Sequence, residues 1–328
     1  MTAGRPTAEG YAALLQERVA DLLRKDDVHR DVGLIEPLTG GHSGLTYRVS
    51  AGTETFVVKS VPPGQRAIGR HDMLRQARIM EALSGTGVPV PRIQAVDDRE
   101  PAWYAMRFVT GESLEPVLDD PPVEPSLAAA RMRRAAEILP TLHDVPLDAL
   151  PVDGPALSPS DELARWARTM GAVPPELVPD AGELERRLGA SVPAPVAPVL
   201  VHGDYRLGNL ICSGGEPVAL IDWEIWSPGD PRVELGWFLV FADGDNFPGV
   251  GRQVPGLPDE DELLGLYAAG GRVVEEQSWF NALGRFKMAA IMGHNLRRHR
   301  EGRHHDPDQE RLPSTITRLI ASGIDQLG

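Results

Sequence analysis

Residues 200–224 read LVHGDYRLGNLICSGGEPVALIDWE. Two apolar runs, PVLV at 198–201 and VALI at 218–221, each give way to acids. The first leads into His202-Gly203-Asp204, the second into Asp222-Trp223-Glu224. An apolar run of this length bounded by turn residues is a buried strand, and a strand that ends in Asp sets a carboxylate at the rim of a sheet. Asp204 and Asn209 are five residues apart across a turn that contains Gly208, and Asp222 ends the next strand after a hairpin on Ser213-Gly214-Gly215. Adjacent hairpin strands bring Asn209 and Asp222 together. An amide oxygen and a carboxylate are hard oxygen ligands, and Mg²⁺ takes one or two of these and the rest from water and phosphate. Asp204 is then left to accept a proton from an attacking hydroxyl. Glu224, two residues beyond Asp222 on the same strand face, could help hold metal or substrate. Singly, each of these residues reads as a turn or cap residue; four of them at two strand ends favour a site.

Working outward, the 328-residue chain has room for two domains or one bilobal fold. Its hydrophobic fraction of 42% supplies a sizeable core, and its net charge of −14 argues against nucleic acid or an anionic membrane as partner. No run of 18 apolar residues and no signal-peptide pattern is present, so a cytoplasmic protein is expected. The single cysteine, Cys212, excludes an intrachain disulfide and a cysteine zinc site. Residues 10–24 form an amphipathic helix with Leu14, Leu15, Val19, Leu22 and Leu23 on one side. VGLIEPL, LTYRVSA and TFVVKSV follow as strands, then a helix over 66–83, then the strands PVPRIQAV and AWYAMRFV. Beyond TGES near 110 the text turns helical: 126–143, 160–170, 181–189, 231–242, 259–270, 274–300 and 308–326, with proline-rich connections. The expected fold is α+β, with a small antiparallel-sheet lobe carrying one main helix over 1–109 and a larger, mostly helical lobe over 110–328.

Lysine occurs only at 25, 59 and 287 in an arginine-rich chain. Lys25 and Lys287 fall at polar helix positions, whereas Lys59 follows the apolar strand TFVV. A lysine there is either a strand-end cation reaching solvent or a point charge for a phosphate oxygen. Between two strands lies Leu38-Thr-Gly-Gly-His-Ser-Gly44, either a plain hairpin or a loop whose backbone amides approach a phosphate. GxxxxGK[ST] is absent, and so is a dinucleotide-binding glycine fingerprint. A glycine hairpin, a strand lysine, a helix, Asp-x4-Asn and a later strand-end Asp together make up the working parts of protein-kinase-type phosphoryl transfer. Asp230-Pro231 starts a helix, Asp as N-cap and Pro at the first position, with Glu234 in the first turn; both acids support the site from behind.

On GGHSGLTYRV (40–49), FVVK (56–59), GVPVPRI (87–93), YAMRFVTGE (104–112), HGDYRLGN (202–209), IDWE (221–224) and GDPRVELG (229–236), the chain resembles the aminoglycoside phosphotransferase-like kinases, relatives of the choline kinases. The resemblance covers most of residues 30–300, and the branch also found fused ahead of acyl-CoA dehydrogenases, with its long helix AAIMGHNLRRHREG, matches best. It implies a bilobal protein-kinase-like fold, with a nucleotide-binding first lobe and a catalytic, substrate-binding second lobe. It implies Asp204 as catalytic base, Asn209 and Asp222 as Mg²⁺ ligands and Lys59 on the α/β phosphates of ATP. Gly40, Gly41, His42, Ser43 and Gly44 would cover the phosphates, and backbone groups of Arg107 and Val109 would meet the adenine edge. One departure stands out. Where the family carries a glutamate partner for the lysine, this chain has Gln76, so Lys59 is expected to find its oxygen on Gln76 or on Asp72 one turn earlier. Asp204 is expected to face a cleft with no arginine locked onto it. The reading is an ATP-dependent kinase for a hydroxyl of a small molecule: an antibiotic, another natural product or a hydroxyacyl metabolite. The alternatives are a nucleotide-binding pseudokinase that regulates a partner and a metal hydrolase built on His202, Asp204 and Asp222.

Overall fold

Strand alternation organises the first compact unit, Met1–Thr110 with Ala149–Pro151 and Val218–Ile225. The structure, a computed structural model, describes residues 8–24, 31–38, 45–62, 65, 68–69, 72–272 and 274–328. Helix α1 (Ala8–Leu23) precedes strands β1 (Glu36–Pro37), β2 (Leu45–Ala51) and β3 (Glu54–Ser60); helix α2 (Met73–Leu83) and strands β4 (Ile93–Asp97) and β5 (Trp103–Arg107) follow. The strands make one antiparallel sheet in the order β1-β2-β3-β5-β4. Because side chains alternate along a strand, Tyr47, Val49, Phe56, Val58, Trp103 and Ala105 share one core with Tyr11, Leu15, Val19 and Leu23 of α1. The buried face of α1 therefore runs at steps of four from Tyr11, and Leu14, expected inside, is 41% exposed. Lys59 alternates with Val58 and so belongs to the opposite face of β3, where it is paired across the sheet with Thr46 and Tyr104. Helix α2 starts at its N-cap Asp72, whose carboxylate accepts from the Arg75 N–H at 2.9 Å.

The second unit, Gly111–Asp148, Val152–Pro217 and Trp226–Gly328, is mostly helical. Helices α3 (Pro125–His143), α4 (Pro159–Met170) and α5 (Ala181–Ala190) lead to strand β6 (Val199–Val201). Strands β7 (Leu210–Ser213) and β8 (Glu216–Leu220) are the arms of a hairpin turned at Gly214, which has a φ of 58°. Strand β9 (Ser227–Gly229) pairs antiparallel with β6. Helices α6 (Pro231–Leu239), α7 (Glu260–Ala269), α8 (Gln277–Arg300) and α9 (Leu312–Asp325) complete the unit. Helix α8 is the hub: α4, α5, α6 and α9 all pack on it, which is why its stretch from Trp279 to Ala290 is buried on every side. Helices α6 and α8 touch backbone to backbone. A Cβ on Gly236 would lie 2.3 Å from the Phe280 carbonyl oxygen, and one on Gly284 would lie 2.4 Å from that of Gly236. No helix among the described residues is long and apolar enough to cross a membrane.

Candidate active site

Asp204 stands on a loop held from behind by buried charge. Strand β6 ends at Val201, and the chain turns through Gly203 at a φ of 86°, a backbone that only glycine adopts freely. Glu234, in the first turn of α6, accepts from the His202 N–H through Oε2 and from the Gly203 N–H through Oε1, both at 2.7 Å. That helix begins as its sequence dictates, with Asp230 accepting from the Arg232 N–H at 3.0 Å and Pro231 at its first position. Burial alone would raise the Glu234 carboxyl, but His143, with Nε2 3.6 Å away, and His202 outweigh it and hold the carboxyl below its ordinary value. On the far side of the Gly203 Cα, in the next peptide group, the Lys287 ammonium donates to the Gly203 carbonyl.

The Asp204 carboxylate is oriented at both oxygens. Oδ1 accepts from Trp237 Nε1 at 2.9 Å and lies 3.4 Å from Arg206 Nε; Oδ2 accepts from Asn209 Nδ2 at 2.8 Å. The Asn209 amide nitrogen also donates to the Asp204 carbonyl at 2.8 Å, which leaves its amide oxygen as the donor a cation could take. The expectation of no arginine at Asp204 is thus wrong. Arg206 leans over Gly208, where a Cβ would sit 1.9 Å from Nη1, and reaches toward Glu115 at 3.8 Å. Glu115 is fully buried and accepts from the Gly208 N–H at 3.2 Å. Burial pushes its carboxyl up to about 8, against the pull of Arg206 and of that N–H.

In the first unit Lys59 is buried, and its ammonium donates to Asp222 Oδ1 at 2.8 Å. Burial disfavours the ammonium; Tyr104, Asp222 and Glu224 more than offset this, and the net displacement is upward. Gln76 is buried and accepts from the Tyr104 hydroxyl at 3.3 Å, while the Asp72 carboxylate caps α2. The carboxylate recorded on Lys59 is therefore the strand-end Asp222 and not an acid of α2. Asp222 sits at a φ of 68°, a left-handed backbone that Asp tolerates better than most residues. This breaks the alternation: Trp223–Ile225 is a 3-10 turn, so Glu224 is not two places along a strand from Asp222, as expected. Trp223, fully buried, anchors the turn by donating to the Leu220 carbonyl at 2.9 Å.

The remaining expected residues divide. Gly40, Gly41, His42, Ser43 and Gly44 lie outside the described residues. Arg107 ends β5 and donates its N–H to the Arg92 carbonyl at 2.8 Å, and Val109 follows just beyond the strand. Sequence reasoning missed Arg206, Glu115, Trp237 and Lys287. For Lys287 the signal was present: it is one of three lysines, set in SWFNALGRFKMAAIMG, a helix stretch that is apolar nearly all round. Among the described residues no group of three or more His, Cys, Asp or Glu side chains is arranged to hold a metal.

The α+β architecture, with its five-stranded antiparallel sheet and nine α-helices among the described residues, is that of the kinase-like phosphotransferases. The chain belongs to the phosphotransferase enzyme family that includes the aminoglycoside phosphotransferases, matching it over residues 34–266. It is 25% identical over 303 residues to acyl-CoA dehydrogenase family member 11 of Pongo abelii, covering 87% of this chain and 39% of that one. The chain thus spans about two fifths of the length of that relative. A Ralstonia eutropha protein assigned to the aminoglycoside phosphotransferases superposes with a TM-score of 0.78 at 22% identity, over 95% of this chain and 97% of the other. Spectinomycin phosphotransferase, solved with ADP and spectinomycin, superposes at 0.60 with 15% identity, over 94% and 98%.

Proposed function

We propose that the chain is an ATP-dependent phosphotransferase that moves the γ-phosphoryl group to a hydroxyl of a small molecule. The observation that carries this reading is the Asp204 carboxylate, oriented by Trp237 and Asn209 on a loop whose backbone is clamped by Glu234. A base so held has lone pairs left for one more hydrogen bond, which is what accepting the acceptor's proton requires. In the reaction the acceptor oxygen bonds to the γ-phosphorus, its proton passes to Asp204, and the bond from the γ-phosphorus to the β–γ bridging oxygen breaks to release ADP. Residues 1–109 would bind the nucleotide and residues 110–328 would carry the base and the acceptor. Lys59 would grip the phosphates, the 40–44 loop would cover them, and the chain near Arg107 and Val109 would meet the adenine. The Asn209 amide oxygen and the Asp222 carboxylate are hard donors that suit Mg²⁺, and Glu224 would offer a further oxygen. Bound there with phosphate, the ion would neutralise charge that develops during transfer.

The pseudokinase alternative drew on Gln76 standing where a glutamate was expected. Lys59 already has a carboxylate in Asp222, so Gln76 does not leave the ammonium unsupported. The deciding experiment incubates the purified chain with Mg·ATP and a panel of hydroxylated acceptors: antibiotics, other natural products and hydroxyacyl metabolites. ATP consumption that rises with one acceptor and disappears in Asp204→Asn is the expected result. Tight nucleotide binding with no phosphoryl transfer to any acceptor or to water would transfer the chain to the pseudokinases.

A further inference from the structure

We propose that Lys287 is a positioning residue for phosphoryl transfer: its buried ammonium fixes the Gly203 peptide and the Trp237 indole, and so sets the direction in which Asp204 presents its carboxylate. The inference rests on the kinase reading and adds to it a residue that touches neither nucleotide nor acceptor. Lys287 is 5% exposed, near the middle of α8. Its ammonium donates to the Gly203 carbonyl and lies 3.8 Å from the Trp237 ring centroid and 5.1 Å from that of Trp166. A carbonyl and two aromatic faces are a cage for a compact cation. The same Trp237 indole carries, at its edge, the N–H that reaches Asp204. The two peptide groups that flank the Gly203 Cα are each fixed by a charge, the first at its N–H by Glu234 and the second, which leads into Asp204, at its carbonyl by Lys287. The residue before the base and the donor to the base are therefore fixed by the same ammonium.

A methionine or leucine would fill this space without the cost of burying a charge. The charge is what distinguishes a positioning role from packing, and it is titratable. Burial pulls the Lys287 ammonium down to about 8 against the attraction of Asp204, Glu162 and Glu234, and Arg165 adds to the lowering. His202 and His143 are the other titratable groups around the Glu234 clamp. As pH rises through about 8 the cage loses its cation, and Trp237 and Gly203 lose the charge that orders them.

The test compares wild type, Lys287→Met and Lys287→Arg in hydrolysis of Mg·ATP, with water as acceptor, between pH 6 and 9.5. The indole N–H resonance of Trp237 is followed in parallel in ¹⁵N-labelled protein. Lys287→Met is expected to lower kcat by roughly 10–100-fold, the scale of a misplaced catalytic group, with KM for ATP unchanged. It also removes the alkaline limb near pH 8. Lys287→Arg keeps a cation at every pH, so it recovers part of kcat and likewise shows no limb there. In wild type the Trp237 indole signal moves with a midpoint near 8, and in Lys287→Met it does not. A Lys287→Met protein with wild-type kcat and pH profile overturns the proposal, as does a wild-type indole signal that stays still between pH 7 and 9. Absence of turnover in wild type both with water and with every acceptor of the panel counts against the kinase reading instead, and the indole measurement still decides whether Lys287 orders Trp237.

Discussion

Replacing Glu115 by Gln should make the protein more stable than wild type, by an amount that grows with pH. Glu115 is fully buried, and burial raises its carboxyl from an ordinary 4.5 to about 8. The direction follows from linkage. Below about 4.5 the carboxyl is protonated in both folded and unfolded chains and contributes no pH dependence. Between about 4.5 and 8 the unfolded chain releases the proton and the folded chain keeps it, so stability falls as pH rises; above about 8 both are ionised and the penalty is constant. Each unit of separation is worth ~1.4 kcal/mol, so the full penalty approaches ~5 kcal/mol. Glutamine copies the shape of the protonated acid, and its side-chain oxygen keeps the Gly208 N–H bonded. Urea unfolding at pH 5, 6.5 and 8, followed by tryptophan emission, should show the midpoint of Glu115→Gln drawing ahead of wild type at each step. A difference between the two proteins that is the same at pH 5 and pH 8 would refute the reasoning, since it would mean that Glu115 ionises alike in both states.

Three further outcomes concern the site. Asp204→Asn should depress turnover by at least ~10²-fold with little change in Mg·ATP affinity, the ordinary reach of general-base catalysis; equal losses in both would make Asp204 a ligand or a structural residue. Asp222→Asn keeps a side chain that tolerates the left-handed backbone but strips Lys59 of its ion-pair partner. It should weaken Mg·ATP-dependent turnover strongly with the fold intact, and unchanged turnover at saturating Mg²⁺ would defeat the assignment. Gln76→Glu should be tolerated, since Lys59 and Tyr104 both lie on its side of the sheet, whereas Gln76→Leu takes the acceptor from the Tyr104 hydroxyl and should act mainly on nucleotide binding; unaltered affinity in Gln76→Leu would remove Gln76 from the site.

What could be read in advance was whatever lay within one short stretch. Asp204, Asp222 and Lys59 each come at or just after an apolar run, which announces the strand, and Asn209 was placed by the turn at Gly208 that follows Asp204. Glu234 was legible for a similar reason, since Asp-Pro begins a helix and sets the first turn. Arg206, Glu115, Trp237 and Lys287 meet through packing of segments far apart in the chain, and no local period records such a meeting. Glu224 was misjudged because strand alternation was carried past Asp222, whose left-handed φ begins a 3-10 turn. Leu14 was misjudged because leucines on a 16-residue helix suggest a face that the sheet does not cover; the core instead takes Tyr11 and every fourth residue after it.

The backbone contact between α6 and α8 has a bearing on how this protein can vary. Gly236 immediately precedes Trp237, and Gly284 lies one helical turn before Lys287, so the crossing that excludes a Cβ at either glycine also sets how far the indole stands from the ammonium. A methyl group added at 284 touches no ligand and no charged group, yet it wedges apart the two helices that carry the support of Asp204, and overpacking of this kind costs ~1–3 kcal/mol. Drift at these two positions is closed to the chain, even though they lie outside any list of catalytic residues. Sequence change in this unit would have to begin in side chains that leave this crossing alone.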